Sequence, residues 1–158
     1  MMKHLHVLIA LVAVLIAAVA PAHALPAPII VDNTDPGFSA SENWSTTTII
    51  PGYYGTNYHW RYCEPVHDPA TWTFTVPTTA NYKVYAWWPQ YYYHSPTAPY
   101  IIYDSGGSKV VYVNQQINGA QWRLLGTFHM NAGTNRIQLS CWTNPGYVVI
   151  ADAVKISR

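Results

Sequence analysis

The chain has 158 residues, half of them hydrophobic and only 9% charged, with eight Lys and Arg against seven Asp and Glu for a formal net charge of +1. That length suits a single domain with a core of its own. Near-neutrality without a basic run excludes nucleic acid as a partner, because such binding needs Lys and Arg to neutralise phosphates, and it excludes attraction to an acidic polymer by bulk charge.

Residues 1–24 read as a secretory signal peptide. Lys3 gives the positive start, Val7 to Ala20 is apolar without Gly, Pro or charge, and Ala22-His23-Ala24 is a small-x-small cleavage site. The apolar run falls short of the ~20 residues of a spanning helix, which places cleavage ahead of an uncleaved anchor. The expectation is an exported, extracytoplasmic protein, free of the membrane after cleavage. Losing Lys3 leaves seven basic against seven acidic residues. All seven Trp, thirteen Tyr and three Phe lie after the leader, in residues 25–158, expected as one domain.

Strand signals then recur at short spacing, with no helical period. Ile29-Ile30-Val31 comes first and ends at the turn-forming run Asp32 to Gly37. Pro51 to Pro69 reads as a long irregular loop holding Tyr53, Tyr54, Tyr58, Trp60 and Tyr62. Thr71 to Val76 alternates strictly, with Trp72, Phe74 and Val76 on one face and threonines on the other. Tyr82 to Trp88 alternates again, and Lys83 marks the face it shares with Tyr85 and Trp87 as the solvent side. Tyr100 to Asp104 and Lys109 to Asn114 flank Ser105-Gly106-Gly107-Ser108, a hairpin signal because glycines supply positive φ. Trp122 to Met130, Arg136 to Trp142 and Tyr147 to Ile156 complete the set. Short strands with such turns predict an all-β, antiparallel sandwich. Two cysteines, Cys63 and Cys141, are expected to form a disulfide in an oxidising compartment; two buried free thiols are the alternative.

Six segments in order carry a resemblance. They are Ile30 to Phe38, Gly52-Tyr53-Tyr54-Gly55 after Trp44, Ala70-Thr71-Trp72-Thr73-Phe74, Tyr82 to Pro89, Gln121 to Phe128 and Ala151-Asp152-Ala153-Val154. Together they resemble the golvesin C-terminal domain family, which is also described as similar to the carbohydrate-binding domain of xanthan lyase. The resemblance implies a jelly-roll-like β-sandwich, a module commonly appended to secreted hydrolases, lyases or wall amidases, and carbohydrate binding. The chain departs from the pattern in three respects. It is expected to act without an attached enzyme, Trp87 stands where a basic residue is usual, and the segment after Pro89 is unusually rich in Tyr.

Alternation assigns Trp72, Phe74, Tyr82, Trp88 and Phe128 to the core, and Trp44 and Trp122 read as structural. Trp87 must face away from the core because its neighbour Trp88 faces in. Tyr91-Tyr92-Tyr93-His94 follows in a loop, and no regular strand buries three consecutive tyrosines. Flat rings with few rotors stack on the C–H face of a pyranose while hydroxyls bond at the rim. Trp87, Tyr85, Tyr91, Tyr92 and Tyr93 are therefore candidate glycan contacts, with Trp60 and Tyr54 of the long loop beside them. A protein contact, or a Tyr-rich surface without a partner, would use the same rings.

Catalytic chemistry is thinly represented. A glycosidase needs two facing carboxylates, and Glu64 with Asp68 in an irregular loop is a weak pair. His59, Cys63 and His67 are spaced for a metal only on a helix, which Tyr, Pro and Trp here oppose. Asp32, Asn33 and Asp35 are oxygen ligands of the kind Ca²⁺ takes, but Asx turns explain them better. No cofactor or metal is expected. The reading is a secreted, noncatalytic module that holds a polysaccharide or a wall or matrix glycan by aromatic stacking. Its rival is a structural or adhesive surface protein that self-associates or binds a protein partner.

Overall fold

Alternation along Thr71 to Val76 and Tyr82 to Trp88 is realised in the computed structural model, which describes residues 26–158. Trp72, Phe74, Val76, Tyr82, Val84, Ala86 and Trp88 are buried, and Thr73, Thr75 and Lys83 are exposed. The signal-peptide reading of residues 1–24 lies outside the described residues.

Twelve strands and no helix occur among the described residues. They are β1 (Ile29–Val31), β2 (Phe38–Ser39), β3 (Ser45–Thr47), β4 (Tyr58–Tyr62), β5 (Ala70–Val76), β6 (Ala80–Trp87), β7 (Ala98–Asp104), β8 (Gly107–Val113), β9 (Arg123–Met130), β10 (Gly133–Leu139), β11 (Val148–Ala151) and β12 (Ala153–Ser157). They form three antiparallel sheets, ordered β1-β12-β6-β9, β2-β5-β10-β7-β8 and β11-β4-β3. The result is the expected all-β, jelly-roll-like sandwich. The hairpin between β7 and β8 pairs Asp104 with Gly107 and leaves Ser105-Gly106 as its turn. Gly107 sits at φ +114°, a conformation that L side chains rarely adopt.

The core is dominated by rings. Trp72 is fully buried, lies nearly parallel to Tyr100 with ring centroids 6.1 Å apart, and donates its indole N–H to the Asp152 carbonyl at 3.2 Å. Trp88 donates to Ile117 O at 3.3 Å and Trp44 to Asp68 O at 3.0 Å, so each buried indole has an acceptor.

Two segments differ from expectation. The stretch Pro51 to Pro69 is not all irregular, because it contains β4. Tyr58, Trp60 and Tyr62 do alternate with His59 and Arg61, but Arg61 is itself buried, so the usual apolar–polar signature is lost. The final stretch Tyr147 to Ile156 is not one strand. It breaks at Asp152, and the chain passes from the sheet of β4 to the sheet of β6. Asp152 is fully buried, and its carbonyl serves the Trp72 indole.

Candidate functional site

The candidate rings separate into two groups. The first stands on the outer side of β6. Tyr85 and Trp87 alternate with buried Ala86, and the loop before β4 brings Tyr54 against Trp87. Trp87 is half-buried. Tyr54 meets it edge-on at 5.7 Å, Trp122 edge-on at 5.4 Å, and its indole donates to Gly52 O at 2.8 Å. Lys155 of β12 lies 4.4 Å over the Tyr85 ring and 4.9 Å over Trp122. Trp122 thus belongs to this surface cluster and not to the core. Tyr54 and Trp122 contact Trp87 edge-on, which leaves Trp87 partly covered.

The second group forms a groove of about 200 Å³ over β4 and β11. Trp60 comes from β4, and Tyr91, Tyr93 and His94 come from the loop after β6; Ile49, Ile50 and Val148 complete the apolar wall. The loop is seated by His94, whose backbone bridges to Val148 and whose ring meets the Pro89 carbonyl at 2.8 Å. Ser95 N–H donates to Val148 O at 2.7 Å. Burial, partly offset by hydrogen bonds to backbone, holds the His94 imidazole down at about 4. The groove therefore carries no charged side chain at neutral pH. Tyr92 and Tyr93 remain 60% and 56% exposed, which leaves phenol faces free. The three tyrosine rings pack on one another, at 4.4 Å from Tyr91 to Tyr92 and 4.2 Å from Tyr92 to Tyr93. Trp60 also meets Tyr62 edge-on at 5.2 Å.

Segment 49–54 links the two groups. Ile49 and Ile50 line the groove, Gly52 accepts from Trp87, and Tyr54 joins the Trp87 cluster. It is anchored from below, where the Tyr54 N–H donates to the Asp152 carboxyl at 3.0 Å. Burial, with a smaller contribution from nearby Asp32, pushes the Asp152 carboxyl up to about 8 despite that bond.

Other candidate groups have structural employment. Arg61 bridges Glu64, at 3.4 Å, and Asp68, so these carboxylates do not face each other across an open cleft. Asp35 accepts the Asp32 N–H at 2.8 Å and Asp32 accepts the Thr34 hydroxyl at 2.5 Å, the side-chain turn chemistry expected of this run. His59 meets Asn33 and Thr46 and packs on Phe38 at 4.9 Å. Among the described residues no three His, Cys, Asp or Glu gather where they could hold a metal ion. Cys63 and Cys141, expected as a disulfide, are free and buried. The Cys141 Sγ is directed at the carbonyls of Val66 and Asp68, at 3.5 and 3.6 Å, which turns it to backbone acceptors. Sequence reasoning passed over Trp142, which is 61% exposed; the alternation of buried Ile137, Leu139 and Cys141 with outward Arg136 and Gln138 already marked its direction.

Known proteins share this architecture. The chain is 28% identical over 139 residues to xanthan lyase of Bacillus sp. (strain GL1), a match covering 80% of the chain and 14% of that protein. It is 29% identical over 119 residues to golvesin of Dictyostelium discoideum, covering 73% of the chain and 20% of that protein. The chain thus spans a small part of either relative. Among solved structures it is similar to Paenibacillus xanthan lyase, with TM-score 0.76 and 33% identity over 83% of this chain and 13% of that one. It shares its fold with the family 35 carbohydrate binding module from Clostridium thermocellum, with TM-score 0.62 and 17% identity over 82% of this chain and 98% of that one. The family described as Golvesin C-terminal domain matches residues 29–158, and the chain belongs to it.

Proposed function

We propose that this is a secreted, noncatalytic module that binds a polysaccharide, or a wall or matrix glycan, in the groove of Trp60, Tyr91 and Tyr93. The observation that carries the reading is convergence. Rings from β4 and from a loop about thirty residues later in the chain meet over one uncharged groove. The fold is one that carbohydrate binding modules use. Stacking on pyranose C–H faces supplies the affinity, and the exposed phenols of Tyr92 and Tyr93 supply hydroxyls at the rim. Trp87 acts from the side: through Gly52 and Tyr54 it holds segment 49–54 against the groove, and Tyr85 stands beside it on β6. An uncharged groove suits a neutral glycan better than a uronate-rich one, whose carboxylates would lose water without gaining a partner.

A pull-down on insoluble cellulose, mannan, xylan and chitin tests this. Wild type is expected to be retained on at least one. Trp60→Ala is expected to lower affinity about tenfold or more, since a stacked ring with its buried area is worth ~1–2 kcal/mol. Retention on none of the four by a folded wild type counts against the reading. Trp87→Ala is expected to weaken retention less than Trp60→Ala.

Export would place Cys63 and Cys141 in an oxidising compartment. Chain neighbours there already touch, with Glu64 N–H donating to Cys141 O at 3.0 Å. Burial, with Cys141 nearby, pushes the Cys63 thiol up to about 11, so this thiol is a poor nucleophile, and the disulfide forms when a thiol–disulfide exchange partner takes the pair's two electrons and two protons. The exported protein is then expected to be lighter than its reduced form by two hydrogens, and more stable by ~2–4 kcal/mol. Alkylation of both thiols in exported, unfolded, unreduced protein would contradict it.

A further inference from the structure

We propose that the polar cavity on the outer face of β5, β10 and β7 is a second saccharide site, taking an uncharged sugar residue through its hydroxyls. This rests on the glycan-binding reading but concerns another surface and another chemistry. The cavity measures about 460 Å³ and is lined by Thr73, Tyr103, Asp104, Asn131, Thr134 and Arg136 among others.

Its floor is built by strand register. Thr73 stands opposite Arg136, and Ile137 stands opposite Ile102, which sets Tyr103 beside Arg136. The Arg136 guanidinium lies 4.0 Å over the Tyr103 ring. The Tyr103 hydroxyl donates to Gln138 Oε1 at 2.9 Å, and Gln138 in turn donates to Thr71 at 3.2 Å. The ring is thereby held in place, and with it the guanidinium stacked on it.

The Tyr103 hydroxyl and the Asn135 amide are already spent on Gln138 and on backbone carbonyls, whereas Arg136 is not. Both ion pairs among the described residues belong to Arg61, so Arg136 keeps its N–H groups for a ligand. Asp104 uses one oxygen to accept the Gly106 N–H at 2.8 Å and has the other in reserve. One guanidinium and one carboxylate in the same cavity give it no net charge. A sugar hydroxyl both donates and accepts, so adjacent hydroxyls satisfy the two together. A uronate would pair with Arg136 but be repelled by Asp104, and an amine the reverse, whereas adjacent neutral hydroxyls meet both.

The two sites lie on different sheets. Thr73 and Arg136 alternate with buried Trp72 and Ile137. Trp60 alternates with His59, which packs inward on Phe38 of β2. One module would therefore hold two glycan chains, or two stretches of one, and gain avidity on a dense polymer.

The test follows backbone and side-chain amide resonances of the mature protein during titration with cellohexaose, mannohexaose and xylohexaose. Expected are two independent sets of shifts, one including the Trp60 indole N–H and one including Arg136 Nε–H and Asn131. Arg136→Ala and, as a milder second variant, Asn131→Ala are expected to weaken the second set about tenfold, the loss of a charged or amide donor, and to leave the first unchanged. Trp60→Ala should do the reverse. Shifts in the first set alone overturn this inference and leave the groove reading standing; shifts in neither set overturn both. A second set that responds to galacturonic acid and not to the neutral hexaoses overturns the assigned ligand class.

Discussion

Trp72→Ala is expected to cost ~3–5 kcal/mol and to lower the melting temperature by roughly 10–20 °C. The indole is fully buried and lies against Tyr100 and Phe38, so its loss leaves a cavity between the sheets. It also strips the Asp152 carbonyl of its donor, at the residue where the last strand changes sheet. Trp72→Phe keeps most of the packing and loses the N–H, so ~1–2 kcal/mol is expected instead. Denaturant melts of the three proteins check the order. A Trp72→Phe protein as unstable as Trp72→Ala would show that the hydrogen bond, and not the ring, holds the sandwich.

Asp152→Asn is expected to change how stability depends on pH. The folded carboxyl titrates at about 8 against an ordinary 3.8, so the native state holds a proton that the unfolded chain has released. Its contribution is full below the ordinary value and is lost as pH rises towards about 8. His94 acts in the opposite sense. Titrating at about 4 against an ordinary 6.5, it contributes stability above 6.5 that is lost as pH falls through about 4. Burial of His59 lowers it in the same direction. Between about 4 and 6.5 the opposing slopes offset, and above 6.5 the Asp152 loss stands alone. A tenfold difference in proton affinity between the folded and unfolded chain is worth ~1.4 kcal/mol, so the loss between 6.5 and about 8 amounts to ~2 kcal/mol. The amide can still accept the Tyr54 N–H and has no charge to bury. The variant should be the more stable protein at pH 8.5, should lose the alkaline decline, and should uncover below 6.5 the acid decline that Asp152 offsets in the wild type. Parallel stability profiles for both proteins from pH 4 to 9 would contradict a buried, protonated Asp152.

What was legible in the chain follows from which faces are wet. β5 and β6 were readable because one side of each meets solvent, so Thr73, Thr75 and Lys83 spell out the period. β4 was hidden because Arg61 is buried with two carboxylates attached, and a buried arginine breaks the pattern that alternation relies on. The break at Asp152 was also hidden. Its burial was foreseeable from an apolar strand, but the change of sheet depends on Trp72, eighty residues away.

The candidate site shows the same division. That Trp87 turns away from the core could be read from its neighbour Trp88. That Tyr54 and Trp122 then close around it could not, because both arrive from other parts of the chain. Conversely, Trp60 owes its place in the groove to the loop of Tyr91 and Tyr93, which folds over β4 from a distant part of the chain. The polar cavity at Arg136 left no trace as a motif, since it is assembled from three strands by register alone.

Glycan binding in the groove requires Trp60 to be the floor on which a sugar ring stacks. A crystal structure of the mature protein soaked with the hexaose of whichever polymer retains it tests this most directly. The expected result is a pyranose ring about 4 Å above the Trp60 indole, bounded by Tyr91 and Tyr93, with segment 49–54 in place. A sugar bound only at the Trp87 cluster, or an empty groove in crystals that bind the sugar elsewhere, would contradict it.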